Sequence, residues 1–246
     1  MAHSPLHQFQ IMKLIPLKIA GIDISFTNSS LWMVITAITL CLFGHLATRK
    51  ASIVPNRLQY THEAIYTFVA DMLKTNLGRE GRTFFPFVFP LFLFILMANL
   101  VGLLPYSFTV TSHIIVTFAL AMIVFLGATT LGIIKHKSGF LRTFFPKGAP
   151  IFVAPILIPI EIISFLMRPV SLSVRLFANM VAGHVLIKIF AGFVTALLKS
   201  PFALFGIVPL LLNSVMLGFE VMVAVLQAYV FTILTCIYIN DALSLH

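Results

Sequence analysis

The chain has 246 residues, 60% of them hydrophobic and only 9% charged, with a formal net charge of +9. Water-soluble domains carry about 25% charged residues, so the composition excludes a soluble globular protein and specifies an integral membrane protein. The basic excess does not call for nucleic acid, because the lysines and arginines cluster between apolar runs, where the positive-inside rule places them.

Residues 1–30 are mixed in character and polar enough to lie at the surface, without the charged-then-apolar layout of a signal peptide. The first predicted span runs over 31–48 and ends at Arg49-Lys50. Residues 57–77, RLQYTHEAIYTFVADMLKTNL, carry apolar positions at helical spacing but no continuous apolar length, which predicts an amphipathic interfacial helix closed by GREGR. Further spans are predicted over 84–104, stopping at Pro105, and 112–134, followed by the basic stretch KHKSGFLRTFFPKG. From 156 to 198 and from 202 to 240 the chain is apolar almost throughout, interrupted only at Ser200-Pro201. Two helices of roughly 40 residues would each be about 60 Å long, twice the hydrocarbon core. They must break or tilt. Pro159, Pro169 and Pro209 permit bends, yet a strongly tilted hairpin is the expected solution. The fold class is therefore an all-α polytopic membrane protein, with about five transmembrane helices and one interfacial helix in a single domain over 1–246. The basic loops put the N-terminus outside and the C-terminus inside.

The polar residues inside the last two segments carry the functional reading. Glu161, Ser164, Arg168, Ser171, Arg175 and Asn179 fall within a sector of about 80° on one helix face. His184 and Lys188 project from the other side. Asn213, Glu220 and Gln227 form a second stripe at seven-residue spacing. A turn near Pro201 sets Arg175 level with Gln227 and His184 with Glu220. Arg168 is close enough to the inner interface to snorkel, with Glu161 as its expected partner. Asn179 and Gln227 suit ordinary interhelical hydrogen bonding as well as a polar route. Arg175 is different: no acid lies within ten positions on either side, and a cation at the bilayer centre costs roughly 2.5–3.5 kcal/mol on insertion scales. An isolated intramembrane carboxylate such as Glu220 marks a proton or ion route by default, and His184 opposite it strengthens that reading. His45 and His113, near span ends, read as interfacial residues.

Other chemistry is not indicated. HEAIY at 62–66 has Tyr66 where a zinc protease motif needs its second histidine. No phosphate loop or nucleophile elbow occurs, and Cys41 and Cys236 both lie in apolar segments. No metal, cofactor or catalytic site of its own is expected. Gly102 and Gly132 read as packing or terminating glycines, and the FFPF and FFPK runs as aromatic belts.

SLSVRLFANMVAGH (171–184), with Glu220 and Gln227 in the last helix, resembles the subunit a family of F-type ATP synthases, as does GREGRTFFPFVFPLFLFILMANLVGLLPYSFTVTSHI (78–114). The best-known bacterial members have an acid where this chain has His184 and a histidine where it has Glu220. The exchanged pair is shared with mitochondrial and alphaproteobacterial relatives, which implies a bacterial inner membrane of that type or a mitochondrial inner membrane. The resemblance implies a proton-translocating stator with two offset aqueous half-channels. Its implied partners are a c-ring of small hairpin subunits with buried carboxylates, b-type peripheral-stalk subunits, the remaining synthase subunits and membrane lipid, with no nucleic acid. It also implies that Arg175, Glu220, His184, Gln227 and Asn179 serve proton translocation, with Glu161, Arg168, Ser171 and Asn213 as supporting polar residues. The competing reading is a secondary ion-coupled transporter or channel, which usually shows repeated halves; none is visible here.

Overall fold

The computed structural model describes residues 9–16, 18–19, 22–23, 25–104, 107–137, 139–140, 153–201 and 203–244. Arg142 and Lys147 of the expected basic loop, Pro105 at the expected end of the second span, and the FFPK run lie outside the described residues.

The N-terminal segment folds back on itself through short antiparallel strands, β1 (Lys13–Ile15) with β4 (Phe26–Thr27) and β2 (Lys18–Ile19) with β3 (Ile22–Asp23). Asn28 ties this segment to the first helix: its Oδ1 accepts from Met12 N (3.1 Å) and its Nδ2 donates to Gln10 O (3.0 Å). Helix α1 (Asn28–Thr48) starts under a side-chain cap in which Thr27 Oγ1 accepts from Ser30 N. Its exposed Val34, Ile38, Leu42 and Leu46 recur every fourth residue, an apolar stripe turned away from the rest of the chain.

Helix α2 (Arg57–Leu77) is capped by Asn56 and stops at Gly78, whose φ of 60° favours glycine. It then doubles into α3 (Gly81–Gly102), where a Cβ on Gly81 would meet Leu73 O at 2.9 Å. Part of the FFPF run is used inside the protein: Phe85 stacks on Phe89 with ring centroids 5.1 Å apart, and Tyr66 of α2 lies 4.6 Å from Phe85. Helix α4 (Ile114–His136) follows a 3-10 turn at Val110–Ser112.

The last two helices are long and unbroken. Helix α5 (Ala154–Leu198) has 45 residues and continues through Pro159 and Pro169; α6 (Ile207–Leu243) has 37. At 1.5 Å per residue they measure about 67 and 55 Å. Among the described residues, five helical stretches are long and apolar enough to cross a membrane: α1, the stretch from α2 through α3, α4, α5 and α6. The protein is thus all-α across its spans.

The C-terminal half of α6 is the centre of the packing. Ala228, Phe231, Cys236 and Ile239 are buried among Leu73 of α2, Ile95 of α3, Val124 of α4 and Leu176 of α5. The opposite halves of α5 and α6 leave Leu186, Phe193, Leu211, Val215 and Phe219 exposed. In a membrane, that surface meets lipid or another subunit.

Candidate functional site

Only one face of α5 is inward. Leu172, Ser173, Leu176 and Met180 are buried, whereas Ser171, Val174, Arg175, Ala178 and Asn179 are exposed. Arg175 makes no hydrogen bond or ion pair among the described residues. The polar stripe therefore points out of the protein along with an apolar surface.

Behind it lie two polar contacts between α5 and α6. Asn179 Nδ2 donates to Gln227 Oε1 at 2.9 Å, leaving the buried Gln227 Nε2 without a partner. One turn further along, His184 Nδ1 stands 3.4 Å from Glu220 Oε1, with Glu220 only 3% exposed. That separation suits an ion pair or proton exchange, but neither carboxylate oxygen of Glu220 has a hydrogen-bond partner.

The expected register is therefore shifted. Gln227 meets Asn179 and not Arg175, a displacement of about one helical turn. The cause is the connection, which runs past Pro201 into a 3-10 turn at Ala203–Gly206 before α6 begins and is longer than a tight turn at Pro201. The expected Glu161–Arg168 pair is also absent. Residues seven apart on one helix are about 10 Å apart along its axis, too far for direct contact. Arg168 Nη1 instead reaches Asp241 Oδ2 at 3.0 Å, with its guanidinium against the rings of Phe165 and Tyr238. Asn213, two turns N-terminal to Glu220 on α6, has a buried Oδ1 with no partner among the described residues; Ser171 stays exposed and Glu161 half-buried.

Sequence reasoning did not single out several groups that complete this site. Thr109, from the uncharged link between α3 and α4, places Oγ1 2.7 Å from His184 Nε2 and 3.2 Å from Gly102 O. Thr111 donates to Asn99 Oδ1 (2.9 Å), and Asn99 Nδ2 donates to Ala224 O (3.3 Å), pinning the same link to α3 and α6. Two glycines make room, Gly183 and the Gly102 expected to serve packing: a Cβ on Gly183 would lie 2.6 Å from Glu220 Oε1, and one on Gly102 2.7 Å from Thr109 Cγ2. His113, the expected interfacial histidine, is satisfied at Nε2 by Phe9 O (3.0 Å), and the Phe9 ring lies 6.3 Å from that of His184. The N-terminal segment thus closes over the end of the link.

A family model, that of the ATP synthase A chain, matches residues 30–240. The chain belongs to the ATP synthase subunit a family. It is 52% identical to the ATP synthase subunit a of Parvibaculum lavamentivorans over 242 residues, covering 98% of this chain and 93% of that one. It is 55% identical to the ATP synthase subunit a of Chelativorans sp. (strain BNC1) over 245 residues, covering 99% and 98%. As a member of this family, the chain is a multi-pass protein of an energy-transducing membrane, a proton-translocating stator component whose partners are other subunits of the synthase. Membership decides against the secondary-transporter reading.

Proposed function

We propose that this subunit supplies two offset half-channels and one fixed cation, Arg175, which together convert proton flow into rotation of a neighbouring c-ring. The observation that carries the proposal is the exposed Arg175, without a partner among the described residues, on the outward face of α5 between the uncharged Ser171, Val174, Ala178 and Asn179. A permanent charge in a membrane span is costly unless a countercharge reaches it. A ring carboxylate that arrives opposite Arg175 is stabilised in its ionised form and releases its proton; once it moves on towards lipid, it must be reprotonated. Arginine suits this role because it does not deprotonate in a protein, so the same charge bars a direct proton leak between half-channels. His184 and Glu220 form the outer access path, and Asn179 and Gln227 hold the wall beside Arg175.

In this reading the N-terminus is outside and the C-terminus inside, in an inner membrane of alphaproteobacterial or mitochondrial type. Helices α5 and α6, too long to stand upright in a core of about 30 Å, tilt strongly and follow the ring surface. The exposed stripe on α1 and the outer helices are free for lipid and for b-type stalk subunits. Disulfide trapping in the assembled synthase tests the face assignment. After Cys41 and Cys236 are replaced, a cysteine at exposed Val174 should cross-link to one beside the ring carboxylate, and a cysteine at Ile38 on α1 should not. Cross-linking from Ile38 but not from Val174 would remove the ring from α5 and sink the proposal.

A further inference from the structure

Thr109 is placed to decide which nitrogen of His184 exchanges protons with Glu220. Its hydroxyl has one hydrogen and two neighbours, Gly102 O at 3.2 Å and His184 Nε2 at 2.7 Å. A carbonyl oxygen only accepts, whereas Nε2 can donate or accept; with the hydroxyl hydrogen directed to Gly102 O, the hydroxyl oxygen accepts from Nε2–H. The site is built for this contact: Thr109 is 5% exposed, and only a glycine at 102 lets the threonine come so near the carbonyl. The competing donor to Gly102 O, Ser107 Oγ, lies closer to Leu104 O (2.7 Å) than to Gly102 O (3.0 Å).

We infer that Thr109 is a positioning residue that holds neutral His184 as the Nε2–H tautomer, so that the free lone pair of Nδ1 faces Glu220. The inference rests on the reading of His184 and Glu220 as the outer access path. The exchange then balances simply. In the imidazolium, the Nδ1–H bond breaks, its electron pair stays on nitrogen, and the proton forms an O–H bond with the Glu220 carboxylate 3.4 Å away. The reverse step restores the imidazolium and the carboxylate. With the other tautomer, Nδ1 carries the hydrogen when neutral, and the pair has no vacant site on the histidine at which to receive a proton from Glu220. Among the described residues, the charged group besides Glu220 that acts on His184 is Lys188, one turn along α5, while His113 is engaged with Phe9 O.

Two measurements on the whole synthase test this. The first is solid-state 15N spectroscopy of the ring nitrogens in the wild-type complex, with His184 assigned by difference from the His184→Gln complex. Neutral His184 should be protonated at Nε2; protonation at Nδ1 overturns the inference whatever any variant does. The second is ATP-driven proton pumping in reconstituted vesicles. Thr109→Val, which keeps the shape and removes the hydroxyl, should slow pumping roughly tenfold, by analogy with the lower end of the loss when a partner orienting a metal-ligating histidine is removed. Thr109→Ser should restore the rate and the tautomer, and Thr111→Val, whose hydroxyl serves Asn99, should leave the His184 tautomer unchanged. Normal pumping and an unchanged tautomer in Thr109→Val would defeat the inference about Thr109 alone, whereas normal pumping in both His184→Gln and Glu220→Gln would defeat the access-path reading beneath it.

Discussion

Gly183 of α5 and the carboxylate of Glu220 of α6 share one small volume: a methyl group at 183 would lie 2.6 Å from Glu220 Oε1 and 2.8 Å from its carboxyl carbon. The two helices bring a buried acid against a backbone with no side chain, and the next residue along, His184, faces the same acid at 3.4 Å.

Gly183→Ala separates local propensity from site geometry. Within a helix, alanine is preferred to glycine by up to about 1 kcal/mol, so α5 itself should not be weakened. The clash falls on the end of a flexible side chain, which can turn away without unfolding anything. We predict that the complex assembles normally while proton pumping falls by roughly tenfold to a hundredfold, as for a small misplacement of a reacting group. Pumping in vesicles at the wild-type rate would mean that the position of Glu220 is not critical.

Asn179 and Gln227 should behave differently in stability and in function. Interhelical hydrogen bonds in membranes average about 0.6 kcal/mol, with a maximum near 1.7. A double-mutant cycle of Asn179→Ala and Gln227→Ala, read by thermal unfolding of the purified complex, should give a coupling in that range. The unpartnered Gln227 Nε2 is a donor left over for an incoming group, so Gln227→Leu should reduce pumping by far more than this small coupling accounts for. Equal losses in stability and transport would make Gln227 a packing residue only.

The architecture was legible because the bilayer imposes one rule on every span: continuous apolar length, with charges confined to the ends. The pairing of His184 with Glu220 was legible from helical spacing once the two helices were read as a hairpin. The register around Arg175 was not, because the 3-10 turn at Ala203–Gly206 has no strong sequence signal, and a few extra residues there slide one stripe along the other. Arg168 was misassigned for a related reason. Its acid, Asp241, lies near the far end of α6 and meets it only through the fold. Thr109 and Gly183 carry no signal in the sequence, because a hydroxyl and a missing Cβ acquire meaning only from what packs against them.

The Arg168–Asp241 pair should contribute little. Its side chains are 27% and 46% exposed, and partly exposed ion pairs are usually worth at most about 1 kcal/mol. Asp241→Asn should leave the complex assembled, with thermal stability reduced by no more than that amount. Loss of assembly would show instead that the pair locks α5 to α6.

Accessibility offers a check on orientation. In a background lacking Cys41 and Cys236, single cysteines at 184 and 220 should react with a water-soluble thiol reagent added from the outer side of sealed vesicles. Glu220 is 3% exposed in the isolated chain, so labelling there requires water within the path. Reaction only from the inner side would reverse the assignment of the half-channel.

Arg175 has no acid or acceptor among the described residues, and its neighbours on the same face, Ser171, Val174 and Ala178, are exposed as well. Removing it breaks no packing contact in the core and frees no buried partner, so Arg175→Ala and Arg175→Gln should both assemble with near-normal thermal stability. Both should abolish proton-driven ATP synthesis, because an ionised carboxylate then finds no countercharge, and both should permit some passive proton leak. Arg175→Lys keeps a charge but replaces a planar, always-protonated fork with an ammonium that burial can neutralise, so it too should be severely impaired. Coupled synthesis in reconstituted vesicles decides the matter: a near-normal rate in Arg175→Gln, which resembles arginine in polarity but carries no charge, would show that the guanidinium does not act as a charge at all.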